Sequence, residues 1–284
     1  MSTLTSYASA SARDSAAPAA SNPGLCIFRT DTKAIEVSDG TAYLTYNNDG
    51  IAAATITSTR SLSFDGSNDY VSFAGDADLA LSGASAVTLA GWINVSNTST
   101  NQHLCGANTN VFSGELWGST NVIYLEMGGG NFFTASNYRT YITQGAWHHI
   151  AFVFDGSGAT NADRAKIYVD GSSLSGTYSN TIPTTIPSIT DWYLGKGSYN
   201  VYYNGLMDEM ALWVGTALSA SDIQALYGNG SLGTGVVGDP ESLTDTPSNF
   251  WRFEETSGTT ASDEISGGQN GTINGATPGS TSVP

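Results

Sequence analysis

Trp147–Ser172 reads WHHIAFVFDGSGATNADRAKIYVDGS, and it sets the fold class. The phrase as a whole reads as strand wording of period two, and Ile150–Phe154 (IAFVF) and Ala165–Val169 (AKIYV) are its two largely apolar stretches of strand length. Between them Asp155–Arg164 is rich in Gly, Asp and Asn and reads as an exposed loop, so the two stretches predict a hairpin. The Asp170-Gly171 pair after the second stretch marks another tight reversal. Three further phrases have the same grammar on either side: Ser61–Phe73 (SLSFDGSNDYVSF), Val87–Ser96 (VTLAGWINVS) and Tyr193–Tyr227 (YLGKGSYNVYYNGLMDEMALWVGTALSASDIQALY). Together they predict an all-β antiparallel sandwich. Helix is expected at one place, where Ser219-Ala220-Ser221-Asp222 forms a capping-box pattern ahead of Ile223, Leu226 and Tyr227.

Composition agrees with many short strands and turns: 284 residues contain 33 glycines and 11% aromatic residues. That length accommodates one large sandwich and a smaller module. Nine basic against 25 acidic residues leave a net charge of −16, which repels a phosphate backbone and an anionic membrane surface and suits divalent cations better. Cys26 and Cys105 lie too far apart to suggest a disulfide framework or a metal motif, and two free, buried thiols are expected. The first residues lack the apolar core of a signal peptide, so export is not expected, and no run has the length of a membrane span.

The order and wording of FDGSNDYV, Gly91-Trp92, Trp147-His148-His149, IYVDG and NGLMDEMALW resemble the laminin-G-like, concanavalin-A-like jelly-roll family, over roughly residues 58–228. The resemblance implies a binding domain, often for glycans, often with a structural calcium ion, and usually without catalysis. It implies calcium ligands at Asp65 and Asp69 of the FDG turn and at Asp208 of the late strand. A second resemblance is shorter. Leu25–Tyr46, a three-strand meander with an Asp39-Gly40 turn, is similar to a module of tailed-bacteriophage fibre and virion-surface proteins. It implies attachment to other virion proteins and, since so small a sheet gains by packing on copies of itself, a homotrimer.

Four segments follow: a Ser/Ala-rich arm over 1–24, the β meander over 25–57, the jelly roll over 58–235, and a carboxy-terminal segment over 236–284. Asn249–Glu254 (NFWRFE) in the last segment looks like the phrase that opens many family members, so it is expected to return a strand to the jelly roll, either by permutation or by docking on a neighbouring subunit.

A sugar site needs exposed aromatic faces beside hydrogen-bonding groups. Tyr199, Asn200 and Tyr202 in one loop, with Trp117, Asn137 and Tyr138 elsewhere, have that chemistry. Trp92, Trp147, Trp213 and Trp251 sit in apolar strand patterns and read as core. Hydrolysis of a glycoside needs two carboxyl groups that flank the bond, which alternate positions on one face of a strand supply. Asp208 and Glu209 are neighbours on one strand and are expected to face opposite ways; Glu254-Glu255 reads as a solvated strand end. His103 reads as a loop residue, and His148 and His149 as facing apart, so catalysis is not expected. These readings converge on a non-enzymatic virion surface protein of a tailed phage, assembled in the host cytoplasm and displaying a lectin-like jelly roll to host polysaccharide. The alternatives are a cement protein stabilising a capsid and a bacterial cell-surface adhesin.

Overall fold

A computed structural model describes residues 5–7, 26–29, 34–38, 43–46, 54–73, 79–107, 109–228 and 236–284. The chain divides into two compact units, Met1–Ala54 and Thr55–Pro284. In the first, β1 (Thr5–Tyr7), β2 (Cys26–Arg29), β3 (Ala34–Ser38) and β4 (Tyr43–Tyr46) form one sheet in that order. β2 to β4 are the expected antiparallel meander, and β1 adds a parallel strand from the segment read as an arm. The rest of that arm, the Asp39-Gly40 turn and the Cys26 side chain lie outside the described residues.

The second unit is a sandwich of two large sheets. One has nine strands in the order β16 (Thr177–Ser179), β12 (Phe132–Ser136), β11 (Val122–Met127), β10 (Val111–Trp117), β9 (Asn101–Gly106), β17 (Trp192–Leu194), β7 (Tyr70–Phe73), β22 (Gly271–Asn274) and β21 (Thr260–Ala261). The other has β15 (Ser172–Ser173), β14 (Ala165–Val169), β13 (Trp147–Asp155), β8 (Ala86–Val95), β18 (Asn204–Val214), β6 (Ser61–Asp65) and β23 (Thr277–Ser280), with β20 (Asn249–Trp251) also on β18. A small ribbon pairs β5 (Thr55–Thr57) with β19 (Val236–Gly238).

Side chains two apart along each strand share a face. Phe152 and Ile150 of one sheet and Leu116, Ile123, Leu125 and Phe133 of the other meet in one buried cluster. At Gly114 the approach is so close that a Cβ would stand 2.4 Å from the Phe152 ring, so β10 must turn a glycine inward there. Residues Ser113, Glu115 and Trp117 therefore point to the opposite, outer face of the nine-stranded sheet. The helix Ala220–Gly228 has the expected cap: Asp222 N–H donates to Ser219 Oγ, and Ser219 N–H to Asp222 Oδ2. It buries Ile223, Ala225 and Leu226.

The predicted hairpin is present, with Ile150 opposite Val169 and Phe154 opposite Ala165. Its loop is more ordered than expected. Asn161–Arg164 makes a helical turn closed by a capping box between Thr160 and Asp163, a pattern legible as T-x-x-D. Asp170 and Gly171 both have positive φ (49° and 72°), the geometry of a two-residue hairpin turn between β14 and β15. The FDG turn behaves differently: β6 and β7 belong to different sheets, so Asp65–Asp69 is an arch across the sandwich. Nor does Asn204-Gly205 make a turn. It opens β18, where a Cβ on Gly205 would fall 2.1 Å from the Asn94 carbonyl oxygen. The carboxy-terminal segment returns strands to both sheets of its own chain: β20 to β18, β22 to β7 and β23 to β6.

Candidate functional site

The outer face of the nine-stranded sheet carries a cleft of about 400 Å³. Its floor is laid by period-two positions on neighbouring strands: Glu115 and Trp117 on β10, Tyr124 and Glu126 on β11, Phe132 and Thr134 on β12. Asn110, Ser179 and Tyr199 complete its walls. The loop bearing Tyr199 is pressed onto β9, since a Cβ on Gly197 would overlap His103 Nδ1 and Gly195 N–H donates to the Leu104 carbonyl. Tyr199 and Asn200 both take left-handed backbone conformations (φ 59° and 52°), unusual for a tyrosine, and Tyr199 is 88% exposed. Trp117 is 36% exposed and stands edge-on to Tyr124, with ring centroids 5.7 Å apart. Two of the expected aromatic residues thus meet across one cleft.

Glu115 is 2% exposed and lies under that tryptophan, whose Nε1–H donates to Glu115 Oε2 at 2.7 Å. Burial, with the charge of Glu126 adding to it, pushes the Glu115 carboxyl up to about 7. Burial also raises Glu126, partly offset by hydrogen bonds from the Gly130 backbone and the Asn110 side chain. His103, read from sequence as a loop residue, is instead a β9 residue, 2% exposed, with Nε2 3.8 Å from Glu115 Oε2. Its burial drives it down to about 4, so it is neutral at physiological pH. Sequence reasoning missed Glu115, Tyr124, Glu126 and Phe132. The available signal was the E-x-W, Y-x-E and F-x-T spacing in strands whose other positions are apolar.

The other expected sugar-contacting residues lie elsewhere. Tyr138 is fully buried, its hydroxyl donating to the Thr98 carbonyl at 2.7 Å, so it offers no face to a ligand. Asn137 begins the 3-10 turn over Tyr138–Thr140 and faces Asn121, outside the cleft lining. Tyr202 stacks near Tyr70, at 6.3 Å between centroids, while Lys196 Nζ sits 4.6 Å from the Tyr70 ring and 4.5 Å from that of Tyr193. These aromatic residues extend the same outer face over β17 and β7. Of the four tryptophans read as core, Trp92, Trp213 and Trp251 are buried; Trp147 is half-buried, its Nε1–H donating to Ser282 Oγ.

The three carboxylates suggested for calcium do not converge. Asp65 Oδ1 accepts from Ser67 N–H and Asp69 Oδ2 from Asp65 N–H, which closes the arch. Asp208 is fully buried on β18, accepting from Ser58 Oγ and from Glu209 N–H. Among the described residues no group of three His, Cys, Asp or Glu side chains is arranged to hold a metal ion. The three therefore do not fit a single cation site.

Asp208 and Glu209 depart from the expected opposite facing. A bulge in β18, with Glu209 at φ 49°, brings both into one buried network with Arg252 and Glu254. Arg252 donates to both Glu209 oxygens, and Glu254 accepts from Thr59 and Arg60, so Glu254 is an anchor and not a solvated strand end. Burial raises Asp208 well above the usual carboxylate range, and its neighbour Glu209 adds to the shift. His148 and His149 do point apart, His148 Nδ1 lying 2.8 Å from Asp170 Oδ2 and His149 packing on Trp92. Cys105 is a free, buried thiol pushed up to about 12 by burial, hence unreactive.

A sandwich with a hydrogen-bonding, aromatic outer face defines a lectin-type architecture. The chain belongs to the concanavalin A-like lectin/glucanases superfamily, whose model Laminin_G_3 matches residues 65–224. Its fold is similar to that of a carbohydrate-binding protein, so described, from Bacteroides ovatus, with 17% identity, 93% of this chain and 72% of that one covered, and a TM-score of 0.59. It is more distantly similar to the CBM40 module of Ruminococcus gnavus IT-sialidase bound to α2,3-sialyllactose (10% identity, 61% and 97% covered, TM-score 0.47). A heptameric pentraxin of Limulus polyphemus is comparable (16% identity, 63% and 94% covered, TM-score 0.42). No curated protein sequence matches the chain.

Proposed function

We propose that this protein binds carbohydrate, without catalysis, in the cleft between Trp117 and Tyr199. One observation carries the reading: two exposed aromatic side chains, far apart in sequence, line a single cleft whose floor offers buried carboxyl and amide groups. Aromatic faces stack on sugar C–H surfaces, and the polar floor accepts hydroxyl hydrogen bonds. Tyr70, Tyr193 and Tyr202 continue the face over adjoining strands, so an oligosaccharide suits it better than a monosaccharide. The test is a glycan panel measured by calorimetry on the full chain. Trp117→Ala and Tyr199→Ala should each weaken the best ligand by about tenfold or more. Unchanged affinity in both would refute this location.

A second reading, hydrolysis, is favoured by Glu115, a carboxyl held near 7 beside Glu126 in a cleft. Its 2% exposure under Trp117 argues for the binding role. New reducing ends released from a bound glycan, and lost in Glu115→Gln, would favour the hydrolase. For the setting, we keep display on a tailed-phage virion, supported by the wording of the Leu25–Tyr46 meander. There, trimeric presentation would strengthen weak single-site binding through effective concentration. Immunogold grains on particles test it; bare particles would favour the bacterial adhesin.

A further inference from the structure

The cleft's polar atoms are unevenly satisfied. Six buried side-chain polar atoms among the described residues lack a hydrogen-bond partner, and five cluster here: Asn110 Oδ1 and Glu115 Oε1 in the lining, His103 Nδ1 and Ser113 Oγ beside them, and Ser198 Oγ next to Tyr199. A buried acceptor without a donor is costly, so the natural occupant supplies donors. Asn110 Oδ1 only accepts, and Glu115 Oε1 accepts when its carboxyl is ionised, whereas the protonated carboxyl shares its hydrogen with Glu126. The lining contains two carboxyl groups and neither lysine nor arginine.

A hydroxyl both donates and accepts, and a sugar carboxylate only accepts. A protonated amine only donates, through three N–H bonds, and carries the compensating charge. We propose that the cleft selects glycans bearing a free primary amine, with the ammonium group placed against Glu115 and the Asn110 amide oxygen. This rests on the reading of the cleft as a sugar site. The groups facing Glu115 agree with it: neutral His103 on β9, Glu126 and Tyr124 on β11 and Trp117 on its own strand bring no competing cation. Burial, the Glu126 charge and a hydrogen bond shared with Glu126 hold Glu115 near 7, and an incoming ammonium group takes the place of that shared proton between the two carboxyls. Sugars carrying carboxylates would meet like charge and be refused.

The experiment is calorimetric titration of the full chain at pH 7 and physiological salt with four tetrasaccharides: glucosamine, N-acetylglucosamine, glucose and galacturonate. The glucosamine tetramer should bind about tenfold or more tightly than the two neutral ones, and galacturonate should not bind. Glu115→Gln should shrink the ratio of glucosamine to neutral-sugar affinity from about tenfold to about twofold or less, whatever it does to the neutral sugars themselves; Glu126→Gln serves if that variant does not fold. Neutral sugars binding as well as glucosamine would overturn the amine preference and leave the sugar site standing. Glucosamine binding unchanged in both variants would also overturn it, because attraction to the overall negative charge would suffice. Failure of all four to bind would sink the sugar site itself.

Discussion

Single side chains decide what each face of the sandwich does, and Arg252 shows how. It is the cation of the β18 bulge, holding Glu209 through three hydrogen bonds while its NH2 group also donates to the Thr57 carbonyl. Breaking a buried pair costs up to about 3–5 kcal/mol, and without Arg252 the Glu209 carboxyl, which burial already holds up to about 7, loses its hydrogen-bond partner and takes up a proton. Arg252→Ala should therefore destabilise the unit by about 3 kcal/mol in urea unfolding, with Arg252→Ala/Glu209→Gln recovering part of the loss. At this scale the sequence was legible only where a residue's surroundings are local. Tyr199 stands in a polar loop and could be proposed as exposed, whereas Glu115 could be placed only by knowing that Gly114 turns inward against Phe152. Tyr138 misled for the converse reason: Asn and Arg flank it, yet its ring fills the core.

Among elements, strands were easier to find than their partners. The strand-length, largely apolar wording of Val87–Ser96, Ile150–Phe154 and Ala165–Val169 matched strands, because such a run is a property of the segment itself, although these strands are buried at nearly every position and not at alternate ones. Sheet membership is not, and neither the FDG arch nor the Asn204-Gly205 strand start could be told from a hairpin turn by wording alone. The β18 bulge was equally invisible, and it reversed the expected facing of Glu209. The carboxy-terminal strands are integral to the sandwich. Phe250, Trp251 and Phe253 are 0–2% exposed, with Trp251 against Phe73 at 4.5 Å between centroids, and β22 lies inside the nine-stranded sheet. A chain ending at Gly228 would expose this core. It should lose cooperative thermal unfolding and bind a hydrophobic dye, and a sharp native-like melting transition would contradict the assignment.

For the whole molecule, buried titratable groups set opposing pH dependences. His103 and His149 are held down to about 4 by burial, so their contribution is present above the ordinary histidine value of 6.5 and is lost as pH falls towards 4. Glu115 is raised from 4.5 to about 7, so its contribution is full below 4.5 and is lost as pH rises through 7. Stability should therefore be flatter between pH 4.5 and 6.5 than either set alone would make it. Glu115→Gln removes one arm. Relative to the parent, its melting temperature should gain more at pH 8 than at pH 5, and an equal difference at both would show that Glu115 is not held near 7.

The pairing of Ser61 with Ser280, reinforced by Ser61 Oγ donating to the Ser282 carbonyl, sets the first long strand of the sandwich beside the last. Tension applied between these two neighbouring ends would peel β23 away one hydrogen bond at a time and meet little resistance. Tension entering at Ser61 alone, and resisted by a bound glycan, would instead pull β6 lengthwise against β18, loading the Leu62–Met207 to Asp65–Asn204 pairs together. If the cleft holds a glycan as proposed, a domain wired this way would keep its grip under drag when tethered by its leading strand.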